Sequence, residues 1–131
     1  MNNEHSLDVI SNSILYDESG NHEPSSLRMF GYHIYEYRKG LRSLVLHTSP
    51  KVLRNQIESR LAKENIEYVI YSAGNNINSF FGDPEFVDVV KQIGKSDLRE
   101  YSLEEDFILG TLLGYSRKEQ CRRYLSRLLD S

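Results

Sequence analysis

Apolar and polar residues alternate over Phe30–Thr48, and this pattern predicts a β-hairpin. Two runs rich in Tyr, Ile, Val and Leu flank Arg38-Lys39-Gly40, which is typical of a three-residue hairpin loop with a left-handed glycine. That register places Glu36 opposite Arg42, a favourable cross-strand pair. One face then resembles a core, with Phe30, Tyr32, Ile34, Leu44 and Leu46. The other face is aromatic and polar and is expected to meet a partner; it carries His33, Tyr35, Tyr37, Ser43, Val45 and His47.

Helical spacing follows this segment. Ser49-Pro50 predicts a helix start, and apolar residues then recur every three or four positions until Asn65. Ile66–Tyr71 predicts a third strand, which a crossover helix would place parallel to Leu41–Thr48. Gly74–Asp83 is expected to be a loop that leads into a helix over Pro84–Ile93.

The C-terminal third predicts a pair of helices. Capping boxes at Ser102–Glu105 and Ser116–Glu119 mark both helix starts. The glycines at 110 and 114 favour close packing or a helix end, and the pair is expected to be a buried antiparallel hairpin. The predicted fold class is α+β, with a three-stranded sheet (a hairpin plus a strand after a crossover helix) packed against a C-terminal group of helices. The last helix has one apolar face, formed by Cys121, Tyr124, Leu125, Leu128 and Leu129.

Charge divides the chain into two regions. Residues 1–27 hold five carboxylates and no Lys or Arg, which predicts an acidic and mobile tail. Its apolar stretch Val9–Tyr16 is interpreted either as a marginal helix or as a segment that orders on docking. Residues 28–131 hold all 16 basic residues and form one predicted α+β domain. The last helix is the most basic part.

Several classes of protein are disfavoured by composition. No run approaches the ~18 consecutive apolar residues that a membrane span needs, and the N-terminus lacks the pattern of a signal peptide. With Cys121 as its one cysteine the chain has no internal disulfide, so a cytoplasmic location is expected.

The His and Tyr side chains of the predicted hairpin suggest two further kinds of site. His33 and His47 supply two ligands, whereas zinc sites use three or four, so no metal is expected. Stacking of RNA bases on an aromatic sheet face is kept as an alternative, although the weak basic charge makes nucleic acid an improbable partner.

Catalytic and cofactor signatures are weak along the chain. No nucleophile, base and orienting group come together in the sequence, so a non-enzymatic protein without a cofactor is favoured. The alternative is a small-ligand or nucleotide-binding protein that uses the Gly74–Asp83 loop, because open α/β sheets bind ligands between a strand end and a helix start.

Three segments together resemble a small bacterial family with no assigned function: YHIYEYRKGLRSLVLHT, NNINSFFG and EDFILGTLLGYSRKEQCRRYL. The resemblance covers about Met29 to Arg127. It implies an α+β protein of three strands and about five helices that forms a homodimer. It also implies a possible redox partner, since such proteins are often encoded beside a flavodoxin.

These observations predict a dimeric protein-interaction module. The candidate interface residues are His33, Tyr35, Tyr37, Val45, His47, Phe80 and Phe81. An acidic partner such as a flavodoxin is expected to dock on the basic last helix, through Arg117, Arg122, Arg123 and Arg127.

Overall fold

The computed structural model describes residues 24–130. Within them the chain forms five α-helices and three strands: α1 (Ser25–Arg38), β1 (Leu44–Pro50), α2 (Arg54–Lys63), β2 (Glu67–Ala73), β3 (Asn76–Gly82), α3 (Pro84–Ile93), α4 (Leu103–Leu112) and α5 (Arg117–Asp130). Short 3₁₀ turns, Lys51–Leu53 and Leu98–Glu100, precede α2 and α4. The predicted α+β class is confirmed. The predicted acidic tail lies outside the described residues up to residue 23, as does its Val9–Tyr16 stretch, and its last three residues belong to α1.

The sheet has the order β1-β3-β2, and β3 is antiparallel to both neighbours. The strand after the crossover therefore runs parallel to β1, as predicted, but β3 lies between them. The predicted loop at Gly74–Asp83 is wrong, because Asn76–Gly82 is the central strand. Its asparagines suggested a loop, whereas its alternation of Ile77, Ser79 and Phe81 with Asn78 and Phe80 is that of a strand covered on both sides.

Helices cover both faces of this sheet. Helices α1 and α2 bury Phe81 on one face, and α3 and α4 bury Phe80 on the other. The adjacent phenylalanines are therefore both in the core, because successive strand residues point to opposite faces. The aromatic segment expected to stack RNA bases does not form one sheet face, because its first half is helix α1.

The predicted hairpin at Phe30–Thr48 is wrong. Its first half is helix α1, and its second half supplies β1. Phe30, Ile34 and Tyr37 are spaced by four and three residues, so they face the core from one side of a helix. The alternation of aromatic and polar residues over the same stretch favoured a strand, but the sheet needs a helix on this face, and tertiary packing overrides the local preference.

Gly40 is left-handed as predicted, with φ 77°, but it ends a helix instead of turning a hairpin. The Gly40 N–H donates to the Tyr37 carbonyl and the Leu41 N–H to the Glu36 carbonyl, each at 3.0 Å, which is a Schellman motif. The predicted Glu36–Arg42 pair does exist, at 3.7 Å, but it joins the helix to the following loop.

Helix α3 has the predicted bounds, from Pro84 to Ile93, and stops at Gly94. The predicted cap at Asp83 differs in detail, because its carboxylate makes no capping hydrogen bond. It accepts instead from the Tyr37 hydroxyl at 3.1 Å, which ties the end of α1 to the start of α3. Within the described residues, no helix combines the length and apolarity that crossing a bilayer requires.

Candidate interaction surface

Helices α4 and α5 form the C-terminal helical hairpin. The predicted capping box opens α4: the Glu105 N–H donates to the Ser102 hydroxyl at 3.0 Å, and the Ser102 N–H donates to the Glu105 carboxylate at 2.9 Å. Gly110 of α4 faces Gln120 of α5, and a Cβ at position 110 would overlap the Gln120 carboxamide. The glycine is therefore what lets Gln120 lie buried between the two helices.

Polar contacts hold α5 to α4 along one side. Asp106 accepts from Arg123 Nε at 2.8 Å and forms an ion pair with Arg127 at 3.3 Å. The Tyr124 hydroxyl donates to Glu104 at 2.9 Å, and its ring meets Phe107 edge-on with centroids 5.7 Å apart. Contacts of 104 with 124 and of 106 with 123 run in opposite directions along the two helices, so the hairpin is antiparallel, as predicted.

Next to these contacts the surface of the hairpin is apolar, with Ile108, Cys121 and Leu125 exposed and Phe107 and Tyr124 half-buried. A shallow recess of about 390 Å³ lies there, bordered by Glu104. The predicted apolar face of α5 is real, but its expected burial is wrong: Leu125 is 58% exposed, and Cys121 is exposed. We call this surface the helical-hairpin patch; it consists of Phe107, Ile108, Cys121, Tyr124 and Leu125.

Basic residues of α5 fall into two groups. Arg123 and Arg127 are bound to Asp106, and this partner raises the pKa of the Arg123 guanidinium. Arg122 pairs with Glu119 at 3.2 Å on the solvent side. Arg117 and its neighbour Lys118 are exposed and form no ion pair with any residue in the described part of the chain.

Residues of the predicted interface are mostly internal. His33, Val45, His47, Phe80 and Phe81 are all buried, because they pack between the sheet and its helices. Tyr35 is exposed on α1, where Lys39 Nζ lies 5.6 Å from its ring centroid. Tyr37 is half-buried and bound to Asp83. These residues thus do not form one continuous surface.

The structure does bring His33 and His47 together. Their rings lie 5.4 Å apart between α1 and β1, and Phe30 packs beside His47. Burial lowers the pKa of His47 to about 3, and the nearby His33 adds to this effect. Burial also lowers the pKa of His33, although its hydrogen bond to Glu36 opposes the shift. Both imidazoles are therefore neutral at pH 7 and act as core residues.

The Gly74–Asp83 segment, predicted as an alternative ligand site, borders a polar recess of about 520 Å³ beside the β2–β3 turn. Gly74 and Asn78 from the predicted segment line it, together with Asp97 and Arg99. The Asn78 carboxamide accepts from the Thr48 hydroxyl, and Asp97 is bound to Arg99 at 2.9 Å, so most charge here is internally paired. No group of three potential metal ligands occurs in residues 24–130.

Sequence reasoning missed Phe107, Ile108 and Gln120 as surface-defining residues. The glycine at position 110 was the available signal, because it pointed to a close helix approach. The orientation of α5 could not be deduced from the spacing of residues alone. Gln120, a polar residue, lies on the inner side of α5, and Leu125 therefore faces outward.

Together, the fold and this surface define a small α+β protein with helices on both faces of a three-stranded sheet and an exposed apolar patch on its terminal helix pair. The sequence profile of the family described as "Protein of unknown function (DUF2023)" matches residues 28–127. The chain belongs to that family. No curated protein shows a significant sequence match to it.

Proposed function

We propose that the protein is a non-enzymatic interaction module that acts as a homodimer, with the helical-hairpin patch as its self-contact. The observation that carries this proposal is the exposure of the patch, where Ile108 and Leu125 are 42% and 58% exposed. Covering apolar surface gains about 25 cal/mol per Å². Contiguous exposed apolar surfaces are typical of protein-binding sites.

The weak anchoring of α5 supports the same proposal. Gln120 is its one buried residue, although the helix is 14 residues long. Isolated helices of this length are marginal in water and depend on packing of an apolar face. Helix α5 contacts α4 through Gln120 and Tyr124, whereas Cys121 and Leu125 are exposed, so a second copy would supply packing for these two residues.

Charges around the patch suit a copy of the same chain. Glu104 borders the recess on the α4 side, while Lys118 and Arg122 precede Cys121 and Leu125 by three residues and so lie beside them on α5. A two-fold contact brings the same surface of both copies together. The acidic border of one copy would then meet the basic border of the other.

Sedimentation of matched variants tests the dimer. Leu125→Glu places a charge in the patch and is expected to give monomers at micromolar concentration, where the unmodified chain is dimeric. Val52→Glu is the control, since Val52 is 85% exposed and lies outside the patch. Monomers of the unmodified chain, or dimers of Leu125→Glu, would contradict the proposal. Both changed residues are exposed, so circular dichroism should show an unchanged fold.

Docking of an acidic partner is a second candidate function, favoured by the exposed and unpaired Arg117 and Lys118. Of the four arginines predicted for docking, Arg117 and Arg122 face solvent on α5. Arg123 and Arg127 are engaged with Asp106 and would contribute less. An acidic protein such as a flavodoxin is the partner that the family resemblance suggested.

This second function predicts a loss of binding on charge reversal. Arg117→Glu with Arg122→Glu should slow association with a purified flavodoxin and reduce its dependence on salt, because complementary charge acts mainly on the association rate. Lys51→Glu with Lys63→Glu is the control, because it reverses the same number of charges at exposed residues that lie outside α5. Equal association rates for both variants would contradict docking of an acidic partner on α5.

A further inference from the structure

We infer that the chain's own N-terminal segment docks on the helical-hairpin patch and competes there with the second copy. The inference deepens the proposed function, since it assigns a regulator to the same surface. The segment that would occupy the patch is the stretch from residue 7 to residue 16, which lies outside the described residues.

Charge complementarity is the first argument. Residues 1–23 carry Glu4, Asp8, Asp17, Glu18 and Glu23 without any Lys or Arg. Arg117 and Lys118 lie three and four residues before Cys121 of the patch and form no ion pair with any described residue, so opposite charges would meet if the segment lay across the patch. Attraction of this kind steers docking and weakens as salt rises.

Apolar spacing is the second argument. Leu7, Ile10 and Ile14 are separated by three and four residues, a spacing that would place them on one side if this segment formed a helix. An amphipathic helix that lays such a side into an apolar groove is a common recognition mode. The recess of about 390 Å³ between Phe107 and Leu125 offers such a groove.

Chain length sets how far the segment can extend from the start of α1. Nine residues lie between Ile14 and Pro24, the residue before α1, and the ten Cα–Cα steps of an extended chain span about 35 Å. A domain of ~100 residues has a radius of gyration of ~13 Å, so this reach is about the diameter of the domain. Tethering gives the segment an effective concentration in the millimolar range, which is enough to oppose a micromolar self-contact.

Cys121 is a built-in reporter, because it is exposed within the patch and is the one cysteine of the chain. Its alkylation rate by a maleimide should be measured on the full chain over a dilution series. Cover by the tethered segment protects the thiol to the same degree at every concentration. Cover by a second copy protects it increasingly as concentration rises.

The test variant is Ile10→Asn with Ile14→Asn, and its control is Ser11→Asn with Ser13→Asn in the same segment. At the lowest concentration the test variant should react about tenfold faster than the unmodified chain, within the usual range of coupling between sites. The control should react at the rate of the unmodified chain. Added salt should reduce the difference in alkylation rate between the test variant and the unmodified chain. Equal rates for all three chains at low concentration would overturn the inference.

A second readout separates this inference from the proposed dimer. Sedimentation should give a tighter dimer for Ile10→Asn with Ile14→Asn than for the unmodified chain. Faster alkylation of this variant without any dimer would support segment docking and refute the self-contact. Dimers of equal affinity, with equal alkylation rates, would support the self-contact and refute the competing segment.

Discussion

Gln120 of α5 lies buried directly over Gly110 of α4, in the space that a side chain at position 110 would fill. This pair sets how closely the two helices approach. It also sets which side of α5 faces inward, because Gln120 points to α4 while Leu125 points to solvent. The exposed helical-hairpin patch is therefore a consequence of a glycine and a glutamine on facing helices.

The first prediction is a compensation between these two positions. Gly110→Ala should lower the free energy of unfolding by about 1 to 2 kcal/mol, because the methyl group forces Gln120 from its place despite the better helix propensity of alanine. Gly110→Ala with Gln120→Ala should lose less than the sum of the two single changes, since the new methyl group occupies vacated space.

Urea unfolding of all four chains measures this coupling. Thr111→Ala is a suitable control, because Thr111 is exposed on the same helix. Additive losses in the double variant would mean that the two side chains do not compete for one space.

The second prediction concerns Asp106, which anchors α5 through Arg123 and Arg127. Asp106→Asn should lower the free energy of unfolding by about 1 kcal/mol, since two partly exposed arginines lose their shared carboxylate. Glu119→Gln removes the exposed ion pair with Arg122 and should change the free energy of unfolding by only a few tenths of a kcal/mol. Thermal unfolding of both variants provides the comparison, and equal losses would contradict the anchoring role of Asp106.

Features of the fold that depend on a few neighbouring residues could be predicted from the sequence, whereas features that depend on long-range packing could not. Helix ends at Asn65, Gly94 and Ser102 were correct, because caps and left-handed residues act locally. The strand predicted over 66–71 lies at Glu67–Ala73, and its direction parallel to β1 was correct because the crossover connection favours it. The helix start predicted at Ser49-Pro50 was wrong, since both residues belong to β1.

The predictions were wrong where long-range packing decides the secondary structure or the burial of a segment. Phe30 and Ile34 fit an alternating strand and a helix equally well, and the need to cover one sheet face selected the helix. Burial of α5 failed for a related reason, since an apolar face in the sequence does not reveal whether the partner lies in the same chain. The predicted interface residues are mostly buried between the sheet and its helices, whereas Ile108 and Leu125 form exposed apolar surface on α4 and α5.

A third prediction follows from Ser79 in the central strand. Its side chain is fully buried, and its hydroxyl finds no hydrogen-bond partner among the described residues. Ser79→Ala should raise the free energy of unfolding by about 1 kcal/mol, because it removes an unsatisfied polar group at little cost in volume. Ser72→Ala is the control on exposed β2 surface. A loss of stability in Ser79→Ala would show that the hydroxyl is satisfied in solution.

The buried histidine pair predicts a pH dependence of stability. His33 and His47 both have a lowered pKa in the folded chain, whereas unfolded histidine has a pKa of about 6.5. Between about pH 6.5 and the folded values, the unfolded chain binds more protons than the folded chain. The free energy of unfolding should therefore fall as pH falls through this window, by up to about 1.4 kcal/mol per pH unit for each histidine.

His47→Gln should flatten this dependence by about one proton when urea unfolding is measured between neutral pH and pH 5. Ser79→Ala is the control, since it changes a buried residue without removing a titratable group and should leave the slope unchanged. The comparison uses slopes, so a constant loss of stability in His47→Gln does not affect it. Proton NMR supplies an independent check: the His47 ring resonances should not titrate over this range, because its folded pKa is about 3. A titration of His47 near pH 6.5 in the folded chain would contradict the burial of this ring against Phe30 and His33.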